Sequence, residues 1–268
     1  MSNPPGNLEQ IGDGRFSAQI DGDWSFGERV NSGYLQRVAA QAAVAVVPHH
    51  DPIAVTTDFL TTVHGGPAQL ITEPLRLGNS IDVVRVTMRQ ADETVLVSSV
   101  VVGTLEGKPA DMDMSVSADV PSPDQCTRIE SDTLRGRRLP LMDRVEIRLA
   151  PECIPLLRGQ GDGSFALRGW ARLVESTDGP DPLDCLALVD AFPPVRLRSA
   201  ATAPHPPCSS VRTFGQHPYP AGSAVSFAAG CWAAAGSIKT APCATRQAMS
   251  SPSRTSWCAY HAAIRHRE

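Results

Sequence analysis

The sequence predicts an α+β fold in which an antiparallel sheet wraps round a central helix, twice over, with the second copy incomplete as translated. Three observations point to it. One helix has an apolar face made mostly of Ala and Val, four strand-like runs with short connections follow it, and a second set of strands and a helix begins near residue 141. A chain of 268 residues with 42% hydrophobic residues can bury a core of that size.

The helix is "NSGYLQRVAAQAAVAVV", Asn31 to Val47, which puts Leu35, Val38, Ala39, Ala42 and Val46 on one face, with Asn31 or Ser32 available as the N-cap. Small side chains on that face let a neighbouring backbone come close, as a wrapped sheet requires. Four runs rich in Val, Ile and Thr follow: "PIAVTTDFLTT", "AQLITEPL", "SIDVVRVTMRQ" and "ETVLVSSVVVGTL". Turn signals at "HGGP", "RLGN" and "QADE" separate them, and such short connections suit an antiparallel meander. Residues 10–105 therefore form a first domain. Residues 106–140, with "KPADMDMSVSADVPSPD", are polar and suit a linker. From 141 to 195 the pattern restarts: "DRVEIRLAPE" and "GSFALRGWARLVES" as strands, then "DPLDCLALVDAF" as a helix with Asp181 at its N-cap and Pro182 at its first position.

Residues 196–268 break the pattern and are expected to be an aberrant tail, disordered or out of frame. From Ala201 onward there is no Leu, and Glu268 is the sole acidic residue. Disordered tails are ordinarily rich in Glu, Lys and Ser, whereas this one carries Cys208, Cys231, Cys243, Cys258, two Trp and many Ala. A frameshift accounts for the change. When the third base of each codon is joined to the first two of the next, Trp257 and Cys258 must give Val, Met249 and Ser250 give Val or Glu, and the stretch from Trp232 to His261 can spell an alternating, strand-like run. The break falls between Pro194 and Ala201.

Bulk properties narrow the partners. A net charge of −4 offers no clustered positive field for nucleic acid or an anionic membrane. The N-terminus lacks a basic region followed by an apolar one, and no run approaches the roughly 18 apolar residues of a spanning helix. The chain is expected in the cytoplasm, with no nucleic-acid or membrane partner. Its seven Cys include no C-x-x-C pair, which fits scattered thiols in a reducing compartment and gives neither a metal site nor a disulfide framework.

Taken together, "NSGYL", "TTDFLTTVHGGPAQL", "EPLRLGNSIDVVRVTMRQ" and "VLVSSVVVGTL" resemble the N-terminal hotdog domain of bacterial acyl-CoA thioesterases of the thioesterase II (TesB-like) type. "LALVDAFPPV" resembles the start of their C-terminal hotdog domain. The resemblance implies a double hotdog that hydrolyses acyl-CoA to a free acid and coenzyme A, with acyl-CoA as the partner, no cofactor, and homo-oligomers as a further possibility. It also implies a catalytic role for Asp190, which in the family works with a Thr and a Gln from the following strands to hold the attacking water. Those two have no counterparts in the sequence as written, so catalysis is expected to be impaired. The alternative is an inactive, frameshifted hotdog protein that retains at most acyl-CoA binding. A hotdog dehydratase would need an Asp and His pair at a helix start, and "NSGYLQRV" has neither.

Other candidates have plainer explanations. His49 and His50, beside Pro48 and Asp51, suit a solvated loop at the helix exit, and His64 lies in a turn where it could line an acyl entrance. "RLGNS", Arg76 to Ser80, suits a hairpin turn in which Gly78 takes a positive φ. "GQGDGS", Gly159 to Ser164, lacks the helix and Lys of a phosphate cradle and suits a hairpin loop. "RGRR", Arg135 to Arg138, is a linker charge run that could meet a coenzyme A phosphate.

Overall fold

The computed structural model describes residues 8–27, 29–105, 120–130, 139–157, 165–176 and 181–192, together with the backbone of four later strands between 209 and 264. A hairpin, β1 (Glu9–Gly12) and β2 (Arg15–Ile20), and a ribbon, β3 (Ser25–Phe26) and β4 (Arg29–Val30), lead into α1 (Ser32–Val44). Then come β5 (Asp51–Phe59), β6 (Gly66–Arg76), β7 (Ile81–Gln90) and β8 (Glu93–Gly103). The second half holds β9 (Thr127–Arg128), α2 (Leu141–Arg144), β10 (Val145–Leu149), α3 (Ile154–Leu157), β11 (Phe165–Leu173) and α4 (Pro182–Val189). Strands β12 (Ser209–Thr213), β13 (Val225–Phe227), β14 (Ala241–Arg246) and β15 (Trp257–Ile264) follow.

The first sheet runs β1-β2-β6-β7-β8-β5-β12, with every neighbouring pair antiparallel. Only β6, β7 and β8 form the expected meander. Strand β5 pairs with β8, so the connection from β5 to β6 spans the sheet. This ordering puts α1, which packs on β5, β6, β7 and β8, inside the curl of the sheet. The inward residues of β7 and β8, among them Val84, Val86, Met88, Leu96 and Val100, are wholly buried, as are Val38, Ala39, Ala40, Ala42 and Ala43 of α1. Each large apolar side chain buried this way contributes about 1.5–3 kcal/mol. The pair Thr57 and Ser98, equally buried, satisfies its hydroxyls mutually at 2.8 Å. The apolar pattern of α1 continues to Val47, but the helix ends at Val44, where Ala45 caps it.

The second sheet runs β13-β14-β15-β11-β10-β9. Part of the stretch expected to be linker belongs to it. β9 pairs with β10, Val120, Cys126 and Ile129 are buried, and the Trp170 indole donates to Pro121 O at 2.7 Å. Polar composition concealed these three anchors. The sequence pattern also offers no strands after residue 195, yet β15 pairs with β11 from Phe165↔Ile264 to Ala171↔Cys258, and β12 pairs with β5. Backbone donors and acceptors on the edges of β11 and β5 need partners, and a ladder can supply them without an alternating apolar pattern. Through β12 the later part of the chain adds a strand to the first sheet.

The halves also meet through their helices. Gly33 of α1 lies so close to α4 that a Cβ there would stand 2.5 Å from Leu186 O and 2.7 Å from Asp190 Cβ. One turn on, Arg37 reaches Asp184, so the two helices run antiparallel. On the surface Arg144 spans the halves, meeting Asp21 at 2.9 Å, Asp23 at 3.2 Å and Glu175 at 3.0 Å. These pairs are partly exposed and add little stability.

Candidate active site

Helix α1 starts where it does because Asn31, extended at φ −61° and ψ 130°, accepts the Tyr34 N–H on its side-chain Oδ1 at 2.9 Å. Tyr34 is wholly buried, stacks on Trp24 with ring centroids 4.9 Å apart, and accepts the Asp21 N–H on its hydroxyl. Burial raises the Tyr34 pKa above its ordinary 10.0. Helix α4 starts with a reciprocal capping box between Asp181 and Asp184, and Pro182 occupies its first turn. It ends at Val189, and Asp190 is its C-cap.

That C-cap lies against the start of α1. The Asp190 carboxylate accepts from Asn31 Nδ2 at 3.1 Å, from the Gly33 N–H at 3.1 Å and from the Ser32 hydroxyl, all on Oδ2. Asn31 Nδ2 also donates to the Asp190 carbonyl at 2.9 Å. The first turn of a helix presents unsatisfied N–H groups and the positive end of its dipole, which suits an anion. The residue singled out from the sequence is thus placed among three donors from the other half of the chain. Such an arrangement can hold a carboxylate in one orientation beside N–H groups able to meet developing negative charge.

Behind this site the helices are joined by a buried ion pair, Arg37 Nη2 to Asp184 Oδ1 at 2.7 Å. Burial raises the Asp184 pKa above 3.8, Asp181 reinforces that, and Arg37 opposes it. In the second sheet, burial pushes Glu146 up, but Arg172 and Arg148 more than offset it, and its carboxyl lies below the ordinary 4.5.

The remaining candidates are scattered. His49 is not in a solvated loop: its Nδ1 lies 2.7 Å from Asp82 Oδ2, and Asp82 is fully buried. The hydrogen bond to Asp82 raises the His49 pKa above 6.5, and the bonds from His49 and the Gly78 N–H lower Asp82 below 3.8. Gly78 shows no positive φ. Its role is close approach, since a Cβ would stand 2.6 Å from Ile81 O. His50 meets the neighbouring Asp51 at 3.0 Å, and His64 exchanges backbone bonds with the Gln90 side chain. None of these contacts brings them to Asp190. Gly159–Ser164 and Arg135–Arg138 lie outside the described residues. Burial pushes the Cys126 thiol up to about 11 and raises Cys153 and Cys185. Among the described residues no three His, Cys, Asp or Glu side chains are grouped to hold a metal ion, and no helix is long and apolar enough to cross a membrane.

The sequence pattern marked Asn31 and Ser32 only as possible caps and did not mark Gly33, Arg37 or Asp184. A glycine in the first turn of an otherwise strong helix was the available signal, since only a close neighbour favours it there.

Comparison with known proteins bears on the fold that carries these residues. Residues 20–103 match the family model described as the acyl-CoA thioesterase N-terminal domain. No match was found among curated proteins. Of solved structures, a protein assigned as a thioesterase II from Thermobifida fusca YX is similar over 98% of this chain and 99% of its own, at 20% identity and a TM-score of 0.72. A hot dog fold protein of unknown function from Alicyclobacillus acidocaldarius is similar over 97% and 96%, at 18% identity and a TM-score of 0.67. An acyl-CoA thioesterase II, TesB2, from Mycobacterium marinum is similar over 97% and 95%, at 14% identity and a TM-score of 0.55. Residues 20–103 are thus similar in sequence to an acyl-CoA thioesterase N-terminal domain, and the chain shares the hot dog fold of these structures.

Proposed function

We propose that the chain descends from, and retains the site of, a thioesterase that hydrolyses acyl-CoA, with Asp190 as the group that activates water. The observation that supports this is the carboxylate held at the start of α1 by Asn31, Ser32 and Gly33. Asp190 would take a proton from water as the water oxygen bonds to the thioester carbonyl carbon. The oxyanion formed would be stabilised by nearby N–H donors. When it collapses the C–S bond breaks, the proton passes to the coenzyme A sulfur, and a free acid leaves. No covalent enzyme intermediate is required.

In this reading residues 10–105 are one hotdog domain, 141–195 begin a second, and 196–268 are the out-of-frame remainder. Loss of the Thr and Gln expected there impairs the site, since each oxyanion donor removed costs about 10²–10³ in rate. The cytoplasm and a homo-oligomer remain part of the proposal. The test is coenzyme A release from short, medium and long acyl-CoAs by the full chain, by its frame-restored version, and by each carrying Asp190→Asn. The expected result is slow release by the chain, faster release by the restored form, and a loss of about 10²–10⁴ in both with Asp190→Asn. Hydrolysis that Asp190→Asn leaves unchanged would overturn the assignment. No hydrolysis by either frame would favour the inactive, acyl-CoA-binding alternative.

A further inference from the structure

We propose that Asn31 is a positioning residue for Asp190, chosen at the cap of α1 because it both accepts and donates. Ser, Thr, Asp and Asn all cap helices well, and α4 in this same chain uses Asp181. Capping alone therefore does not require an amide at position 31. The amide's two ends have opposite partners: Oδ1 accepts from the Tyr34 N–H, and Nδ2 donates to the carbonyl and the carboxylate of Asp190. With a donor on one side and acceptors on the other, the orientation of the amide is determined. The Asn31 backbone is itself anchored, its N–H donating to Trp24 O at 2.7 Å, and the residue is 3% exposed. Asp190 is gripped by main chain and side chain at once, which fixes how the end of α4 presents its carboxylate to the start of α1. Sequence distance gives no hint of it, since the partners are 159 residues apart. A role in catalysis rests on the reading of Asp190 given above; the grip itself does not.

The test is titration of the Asp190 carboxyl by carbon-13 NMR in the full chain, with the signal assigned by its absence in Asp190→Asn. Asn31→Ser keeps a cap and removes the second donor. Asn31→Asp keeps the cap and sets a like charge beside Asp190. The expected result is that Asp190 binds its proton about threefold more tightly in Asn31→Ser and about tenfold or more tightly in Asn31→Asp, while thermal unfolding shows both variants folded. Asn31→Ser provides the readout should Asn31→Asp fail to fold. An Asp190 titration that moves in neither variant overturns the proposal. If Asp190 titrates as expected but Asp190→Asn leaves hydrolysis intact, the grip stands and the catalytic reading falls. Where hydrolysis does depend on Asp190, the acid limb of kcat/KM should move with the NMR midpoint, which a purely structural cap would not cause.

Discussion

At the start of α1 an amide, Asn31, caps the helix and meets a carboxylate, Asp190, from the end of α4. At the start of α4 a carboxylate, Asp181, caps the helix, and the position in α1 that corresponds to Asp190, nine residues beyond its own cap, is Ala40. At that spacing from its cap α4 has ended and carries an acid, whereas α1 is still helical and carries an alanine. A carboxylate at position 40 would stand at a fully buried site, whereas Asp190 faces three donors. The acid at α4's other first-turn position, Asp184, is already engaged with Arg37. An amide thus caps the helix start at which a carboxylate of the other helix arrives, and a carboxylate caps the helix start that is exposed.

Placing an acid in α1 at the spacing that Asp190 has in α4 should have the largest effect. Ala40→Asp places a charge at a fully buried position within α1, and a loss of about 4 kcal/mol or more is expected, read as a fall in the denaturant midpoint or failure to fold. If Ala40→Asp folds as well as the parent, burial at position 40 does not exclude a carboxylate. Gly33→Ala tests the close approach of the helices at the Asp190 end. Its Cβ would collide with Leu186 O and Asp190 Cβ, so a loss of about 1–3 kcal/mol is expected, together with a displaced Asp190. An unchanged midpoint would show that the helices can separate without cost.

A smaller effect should appear beyond the exit of α1, where His49 and Asp82 form a pair that owes nothing to the Asp190 end. The His49 pKa is raised, so its contribution is full below 6.5 and is lost as pH rises through the folded value. The Asp82 pKa is lowered, so its contribution is full above 3.8 and is lost as pH falls through the folded value. The pair should stabilise most between those limits. His49→Gln should flatten the alkaline side of the stability profile, and a profile identical to the parent's would remove the pair from the account.

Helix α1, a cap for it at Asn31 or Ser32, the Asp181 and Pro182 start of α4, and most strands of the first half were legible because each is encoded within a few residues, as an apolar period or a turn. Asp190 was legible only through the family resemblance, since nothing in its neighbours announces Asn31 or Ser32. The position of β5 beside β8 was hidden because short connections suggest a meander unless a helix must be enclosed. The burial of Val120, Cys126 and Ile129 was masked by the polar residues between them. His49 looked solvated because its partner, Asp82, lies in a strand whose alternation makes it an inward position without naming what it meets.

Sequence by itself determined the α+β class, the Ala-rich face of α1, the caps of both long helices and the change of composition after residue 200, all properties of residues near one another along the chain. Tertiary structure alone decided that Asp190 meets Asn31, that Gly33 touches α4 and that Arg37 pairs with Asp184. Those contacts join residues more than a hundred positions apart, and they exist only because the wrapped sheet and the Ala-lined helix leave the two helices no separation at which a larger residue would fit.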